Sequence, residues 1–256
     1  MTTRKRDEVK PDEVWSSPPR DRALECDEVH VWRADTEGGG FRVEDLRQTL
    51  SASERARAER FAFRRDRDRF IVRRGLLRAI LGRYLAMDSA RVEFQYGAGG
   101  KPALAPQNDG TQLRFNVSHS AGLALYAVAC GREIGVDLEA IQPVIARERI
   151  PEHFFSPWEV ATLRALPVDA QPEAFFACWT RKEAYVKARG EGLALPLDRF
   201  DVTLVPGEPA ALVRTADDAR EASRWSLQAL APGRGYVGAV AVEGHAGRLR
   251  CWQWTE

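Results

Sequence analysis

No apolar run in these 256 residues reaches the roughly 18 that a membrane-spanning helix needs. The N-terminus, MTTRKRDEVKPDEVWSSPPRDR, lacks the apolar core of a secretory signal. Its charges and prolines predict a disordered or loosely docked lead-in over residues 1–22. Cysteine is scarce. Cys26, Cys130, Cys178 and Cys251 lie far apart with no C-x-x-C pair, which argues against a zinc site or a disulfide framework. Reduced thiols and a cytoplasmic location are the default that follows. Net charge is small too. At +1, the whole molecule carries no strong field toward nucleic acid or membrane. The interleaved aromatics of a basic nucleic-acid groove are missing as well.

What is present is 44% hydrophobic and 29% charged, enough for a sizeable core in one large domain or two small ones. The chain is organised around residues 175–193, FFACWTRKEAYVKARGEGL. Ala, Arg, Lys and Glu favour a helix there, and Gly190 and Gly192 supply the stop. Trp179, Glu183 and Lys187 recur at i, i+4 and so share one face. Taken alone, Glu183 and Lys187 read first as a solvated ion pair worth roughly 0.2–0.5 kcal/mol.

Two other stretches shift that reading. In IGVDLE, residues 134–139, apolar residues alternate with Gly135, Asp137 and Glu139, so the spacing predicts a strand with both carboxylates on one face. Such a pair is tolerated when solvated and useful when it holds a hard cation. With Glu183 added, the set suits magnesium on a diphosphate. The third stretch is NVSHS, residues 116–120, in which His119 alone reads as a hydrogen-bonded structural residue. Ten arginines between Arg55 and Arg78 form a local basic surface that suits a polyphosphate or an acidic protein.

The remaining pattern predicts strands near 28–33, 91–96, 113–118, 123–129, 132–139, 200–205, 224–230, 236–242 and 249–254. Residues 113–139 read as an antiparallel meander of three strands. Helices are expected at about 43–50, 53–63 and 66–85, and a short one within 143–155. Ser51 with Glu54 and Ser156 with Glu159 form capping-box patterns. These two pairs are offset by 105 residues, as are Phe70 and Phe175, Val29 and Ile134, and Val31 and Val136. An internal duplication is the economical explanation. It predicts an α+β protein of two similar subdomains, 23–130 and 131–256. Each would be a small antiparallel sheet with packed helices, and the active site would lie in the cleft between them.

In this order, NVSHS, IGVDLE and WTRKEAYVK resemble the signature of Sfp-type 4′-phosphopantetheinyl transferases. The KEA-x-x-K core with its upstream Trp is the most specific part, and G-V-D-x-E is the second. The GGKP loop and the stretch from Phe63 to Arg74 add support, and the likeness spans about residues 50–193. The resemblance implies a monomeric pseudodimer. It also implies magnesium, coenzyme A as donor, and a serine of an acyl or peptidyl carrier protein as acceptor, with release of adenosine 3′,5′-bisphosphate. By position, Asp137, Glu139 and Glu183 match the family's metal ligands, and Lys187 its phosphate-contacting lysine. Ser118 and His119 match residues that meet coenzyme A, the histidine near the 3′-phosphate. Lys101 and Arg69 match nucleotide contacts. Arg57 falls where the family often has a basic residue, whereas Glu54 stands where some members have lysine.

In such a transfer a serine hydroxyl attacks a diphosphate, and catalysis is mostly positioning and electrostatics. Two bases stay open: Glu183, directly or through a water, and a metal-bound water. Trp179 reads first as packing. A magnesium-dependent phosphohydrolase with the same carboxylates is the alternative, in which water replaces the carrier serine.

Overall fold

A computed structural model describes residues 15–18, 23–97, 100–106, 112–142, 149–216, 218, 220–245 and 247–255. The chain opens with β1 (Trp15–Ser16) and β2 (Glu28–Asp35), followed by α1 (Val43–Thr49), α2 (Ala52–Ala58) and the long α3 (Arg64–Tyr84). A small hairpin, β3 (Phe94–Tyr96) and β4 (Pro102–Leu104), leads into β5 (Leu113–Ser120), β6 (Leu123–Cys130) and β7 (Ile134–Ala140). Then come α4 (Ile150–Phe154), α5 (Pro157–Ala165) and α6 (Gln171–Arg189). The chain closes with β8 (Phe200–Val202), β9 (Leu212–Thr215), α7 (Glu221–Arg224), β10 (Trp225–Leu230), β11 (Tyr236–Glu243) and β12 (Arg248–Gln253).

Both capping boxes form. Ser51 Oγ accepts from Glu54 N and Glu54 returns the bond to Ser51 N; Ser156 and Glu159 do the same. Each glutamate also meets a buried cation on the following long helix. Glu54 takes Arg78 Nε at 2.7 Å, and Glu159 takes Lys182 Nζ at 2.8 Å with both side chains 0% exposed. α6 ends where expected, at Gly190 with φ 71°.

The strands build a five-stranded sheet, β1-β12-β2-β6-β5, and a three-stranded sheet, β10-β11-β7. Order β2-β6-β5 in the first is repeated by β7-β11-β10 in the second, antiparallel throughout. The layers run helix, sheet, sheet, helix. α3 packs on Trp32, Phe115 and Tyr126, and α6 packs on Leu227, Ala239 and Ala241. Val29, Val31, Leu125 and Ala127 meet Ile134, Val136, Leu138 and Val240 between the sheets.

Three expectations need correction. The first sheet is mixed, not antiparallel, because β12 runs parallel to β2 from Arg248↔Glu28 to Gln253↔Arg33. β2 is buried along nearly its whole length and so needs a partner on both edges. Residues 134–140 are not the third strand of a meander. They turn away to pair with β11, and face β5 only through side chains. The N-terminal stretch is not wholly a lead-in, since Trp15 pairs with Cys251 and donates its indole N–H to Ala231 O at 2.6 Å. Residues 1–14, 19–22, 98–99 and 143–148, on which other expectations fall, lie outside the described residues.

Candidate active site

β5 and β7 run side by side with no main-chain ladder between them, and alternate side chains of β5 take its place. Asn116 Oδ1 accepts from Val136 N at 3.0 Å. Ser118 Oγ donates to Asp137 Oδ1 at 2.8 Å. Ser120 Oγ donates to Glu139 Oε2 at 2.8 Å and accepts from Ala140 N at 3.0 Å. The period of two that aligned Asp137 with Glu139 also aligns Ser118 and Ser120, which meet them, with Asn116, which meets the main chain of Val136.

α6 lies directly on β7, and Gly135 is the reason. A Cβ there would stand 2.1 Å from Ala184 O and 2.4 Å from Ala188 N, both on the helix backbone. This close approach brings Glu183 and Lys187 to the seam. Lys187 Nζ donates to Asp137 Oδ1 at 2.6 Å and to Ser118 Oγ at 3.1 Å. Its partner is therefore a carboxylate on the neighbouring strand, not Glu183 one turn earlier.

Asp137, Glu139 and Glu183 all have pKa values raised by burial. The neighbouring carboxylates raise Glu139 and Glu183 further: Asp137 acts on both, and Glu139 on Glu183. Lys187 opposes the shift in all three. The four groups thus share one electrostatic field. Trp179, Glu183 and Lys187 also line a single cleft of ≈ 660 Å³, with Lys101, Asn116, Phe154 and Leu195 among its other walls. Trp179 packs by stacking on Phe175, ring centroids 6.1 Å apart, and also lines the cleft.

Among the described residues, no group of three His, Cys, Asp or Glu side chains could hold a metal ion as it stands. Lys187 already occupies Asp137 Oδ1. The donor set nevertheless fits a hard divalent cation. It is all oxygen, and Asp137 Oδ2 is buried without a hydrogen-bond partner.

The cationic side is less assembled. His119 is exposed by area yet crowded on its protein side. Desolvation, then Arg73, Lys187 and Arg69, push its pKa down to about 4. Arg69 is bonded to Glu37, and its Nε is buried without a partner. Lys101 reaches Glu133 Oε2 at 2.9 Å and Ala188 O at 3.1 Å, so its ammonium also tethers the end of α6. Arg57 is apart from this group, its guanidinium 5.3 Å from the Phe70 ring centre. Glu54 is structural, bonded to Arg74 and Arg78. Sequence reasoning missed Asn116, Ser120, Gly135 and Arg73. The first two carried a signal in the N-x-S-x-S alternation; Arg73 was hidden among ten arginines.

Residues 133–241 match the family model described as the 4′-phosphopantetheinyl transferase superfamily, and residues 42–131 match the model 4′-phosphopantetheinyl transferase, N-terminal. The chain is similar to 4′-phosphopantetheinyl transferase HetI of Nostoc sp. (strain PCC 7120). They are 42% identical over 241 residues, covering 94% of this chain and 98% of that one. It is similar to a putative 4′-phosphopantetheinyl transferase, slr0495, of Synechocystis sp., at 34% identity over 70% of each chain. It is also similar to 4′-phosphopantetheinyl transferase Sfp of Bacillus subtilis (strain 168). There the identity is 32% over 60% of this chain and 66% of the relative.

Proposed function

The chain belongs to the 4′-phosphopantetheinyl transferase superfamily and is a transferase of that kind; from this premise we propose its donor, acceptor and site. It moves the 4′-phosphopantetheine group of coenzyme A to a serine of an acyl or peptidyl carrier protein and releases adenosine 3′,5′-bisphosphate. The observation that carries this reading is the convergence of Asp137, Glu139, Glu183 and Lys187 at the β5–β7 seam, where α6 borders the cleft.

Asp137, Glu139 and Glu183 would hold magnesium, with Asp137 Oδ2 the atom without a hydrogen-bond partner. When bound, the ion neutralises charge on the diphosphate. An ammonium has three donors, and Lys187 spends two on Asp137 and Ser118. Its third is available to a phosphate oxygen. There it strengthens as the bond between phosphorus and the departing oxygen breaks. The serine oxygen forms the new bond to phosphorus, and its proton passes to Glu183, directly or through a water. Burial and the charges of Asp137 and Glu139 raise the pKa of Glu183 in the metal-free protein; a cation bound to it would offset that gain in basicity, so a water held by the metal would be the other proton acceptor. His119, with Arg69 and Arg73 near it, faces the 3′-phosphate, and Lys101 borders the nucleotide side. Arg57, over the Phe70 ring and apart from that group, is kept as a donor contact on the family resemblance alone.

The molecule is read as a pseudodimer with halves 23–130 and 131–256, acting as a cytoplasmic monomer. The repeated strand order and the two capping boxes, each with a buried cation, support the division into two similar halves. The deciding experiment incubates the protein with coenzyme A, magnesium and a panel of apo carrier proteins, and reads intact mass. Gain of one phosphopantetheine is expected. Adenosine bisphosphate released from coenzyme A alone, with no carrier gaining mass, would establish the hydrolase reading instead.

A further inference from the structure

Each carboxylate of β7 has one oxygen held by a serine of β5. Ser118 donates to Asp137 Oδ1, and Ser120 donates to Glu139 Oε2. The other oxygen of Asp137 is buried with no partner, and Glu139 accepts no second hydrogen bond among the described residues. Two serines two residues apart thus pin two carboxylates two residues apart, leaving one oxygen of each open. We infer that Ser120 is a positioning residue for the metal site, fixing which oxygen of Glu139 is presented to the cation. The inference rests on reading Asp137, Glu139 and Glu183 as metal ligands.

The direction of the hydrogen bonds carries the argument. A serine hydroxyl has one proton. Ala140 N–H at 3.0 Å occupies a lone pair of Ser120 Oγ, so that proton is spent on Glu139. The main chain of β7 therefore orients the hydroxyl, and the hydroxyl orients the carboxylate. Ser120 is half-buried at the end of β5, where no ladder bond to β7 could substitute. A ligand carboxylate is normally held by a partner of this sort, and loss of such a partner typically costs roughly 10–100-fold in metal affinity.

The test titrates Mn2+ into the full chain and follows free ion by electron paramagnetic resonance, for wild type, Ser120→Ala, Ser120→Thr and Asp137→Ala. Thermal melts are recorded alongside. Ser120→Ala should bind Mn2+ roughly 10–100-fold more weakly while still unfolding cooperatively. Ser120→Thr, which keeps the hydroxyl, should stay near wild type. In transfer assays the apparent KM for magnesium should rise in Ser120→Ala, with kcat recovering at saturating metal. Wild-type Mn2+ affinity in Ser120→Ala, beside a loss in Asp137→Ala, would overturn the positioning role and leave the metal reading standing. The same result with a lowered melting temperature would make Ser120 a purely structural seam residue. Equal weakening in Ser120→Thr and Ser120→Ala, both folded, would show that the hydroxyl is not what matters. Unchanged affinity in Asp137→Ala as well would remove the metal reading, and this inference with it.

Discussion

His119 shows how much a residue's neighbours decide. An ordinary histidine titrates near 6.5. Here partial desolvation, and then Arg73, Lys187 and Arg69, bring it to about 4. Between those values the unfolded chain binds the proton and the folded chain does not. This residue's contribution to stability therefore declines as pH falls from about 6.5 to about 4. An NMR titration of the free protein should place the His119 midpoint near 4, and a midpoint near 6.5 would contradict the cationic cluster. Coenzyme A should raise that midpoint, because a docked phosphate offsets the three positive charges. Glu183 carries the opposite sign. Its raised pKa means the folded state binds protons more readily than the unfolded one, and the associated stability is lost as pH rises. Glu183→Gln should therefore melt higher at neutral pH than wild type while losing most of its transfer rate. Lys187→Ala should keep its magnesium requirement and lose roughly 10²-fold in turnover, as when one preorganised charge contact is deleted. Near wild-type turnover in steady-state transfer would return Lys187 to an ordinary ion pair. Glu183 and Lys187 were legible in sequence because spacing put them on one helix face, whereas His119 was marked only by the family resemblance of NVSHS. Ser120 was not singled out, although the N-x-S-x-S alternation put it on the face of Asn116 and Ser118, because nothing in the sequence showed that β7 lies beside that face.

At the scale of elements, α6 is held by contacts that its own periodicity does not reveal. Gly135 lets the helix backbone touch β7, and a Cβ there would meet backbone atoms that cannot give way. Gly135→Ala should lift α6 from the strand, lowering the melting temperature and turnover together. An unchanged melt and rate would mean the helix is not seated as described. On its other side, Lys182 is fully buried. It bonds Glu159 at 2.8 Å and the carbonyl oxygens of Leu197 at 2.6 Å and Phe200 at 2.5 Å. Removing one partner of a buried pair costs about 3–5 kcal/mol, because the other charge is stranded. Lys182→Met should lose that much in urea unfolding. Adding Glu159→Gln should recover part of the loss, and equal losses in single and double variants would show no coupling between the two. Sequence spacing put Lys187, not Lys182, on the face of Glu183, but it gave no sign that Lys182 would be buried against Glu159. Five positions along a helix turn one lysine into the core and the other into the cleft.

For the whole molecule, the expected two-part division meets a strand that crosses it. β12 comes from the end of the chain, yet completes the sheet of the first part beside β2. The apolar layer between the sheets also draws on both parts, with Val29 and Val31 facing Ile134 and Val136. A chain ending before Arg248 would bare the edge of β2 and remove Cys251 and Trp254 from the core. Such a truncation should lose cooperative unfolding in calorimetry. A wild-type transition would show that β12 is dispensable to the fold.

By itself the sequence determined the elements whose signals are local. Both capping boxes, the Gly190 stop, the long helices and the strand that carries Asp137 and Glu139 lie where residue pattern placed them, to within a few residues. It also determined which carboxylates and which lysine share a face, since face is a matter of period. Only the tertiary structure decided that β7 leaves β6 for β11, that β12 runs parallel to β2, and that Lys187 answers Asp137 rather than Glu183. Those outcomes depend on which edges are left to satisfy once the sheets meet, and on a glycine that lets one backbone touch another. Neither quantity is written in the neighbours of a residue along the chain; both arise from residues brought together across it.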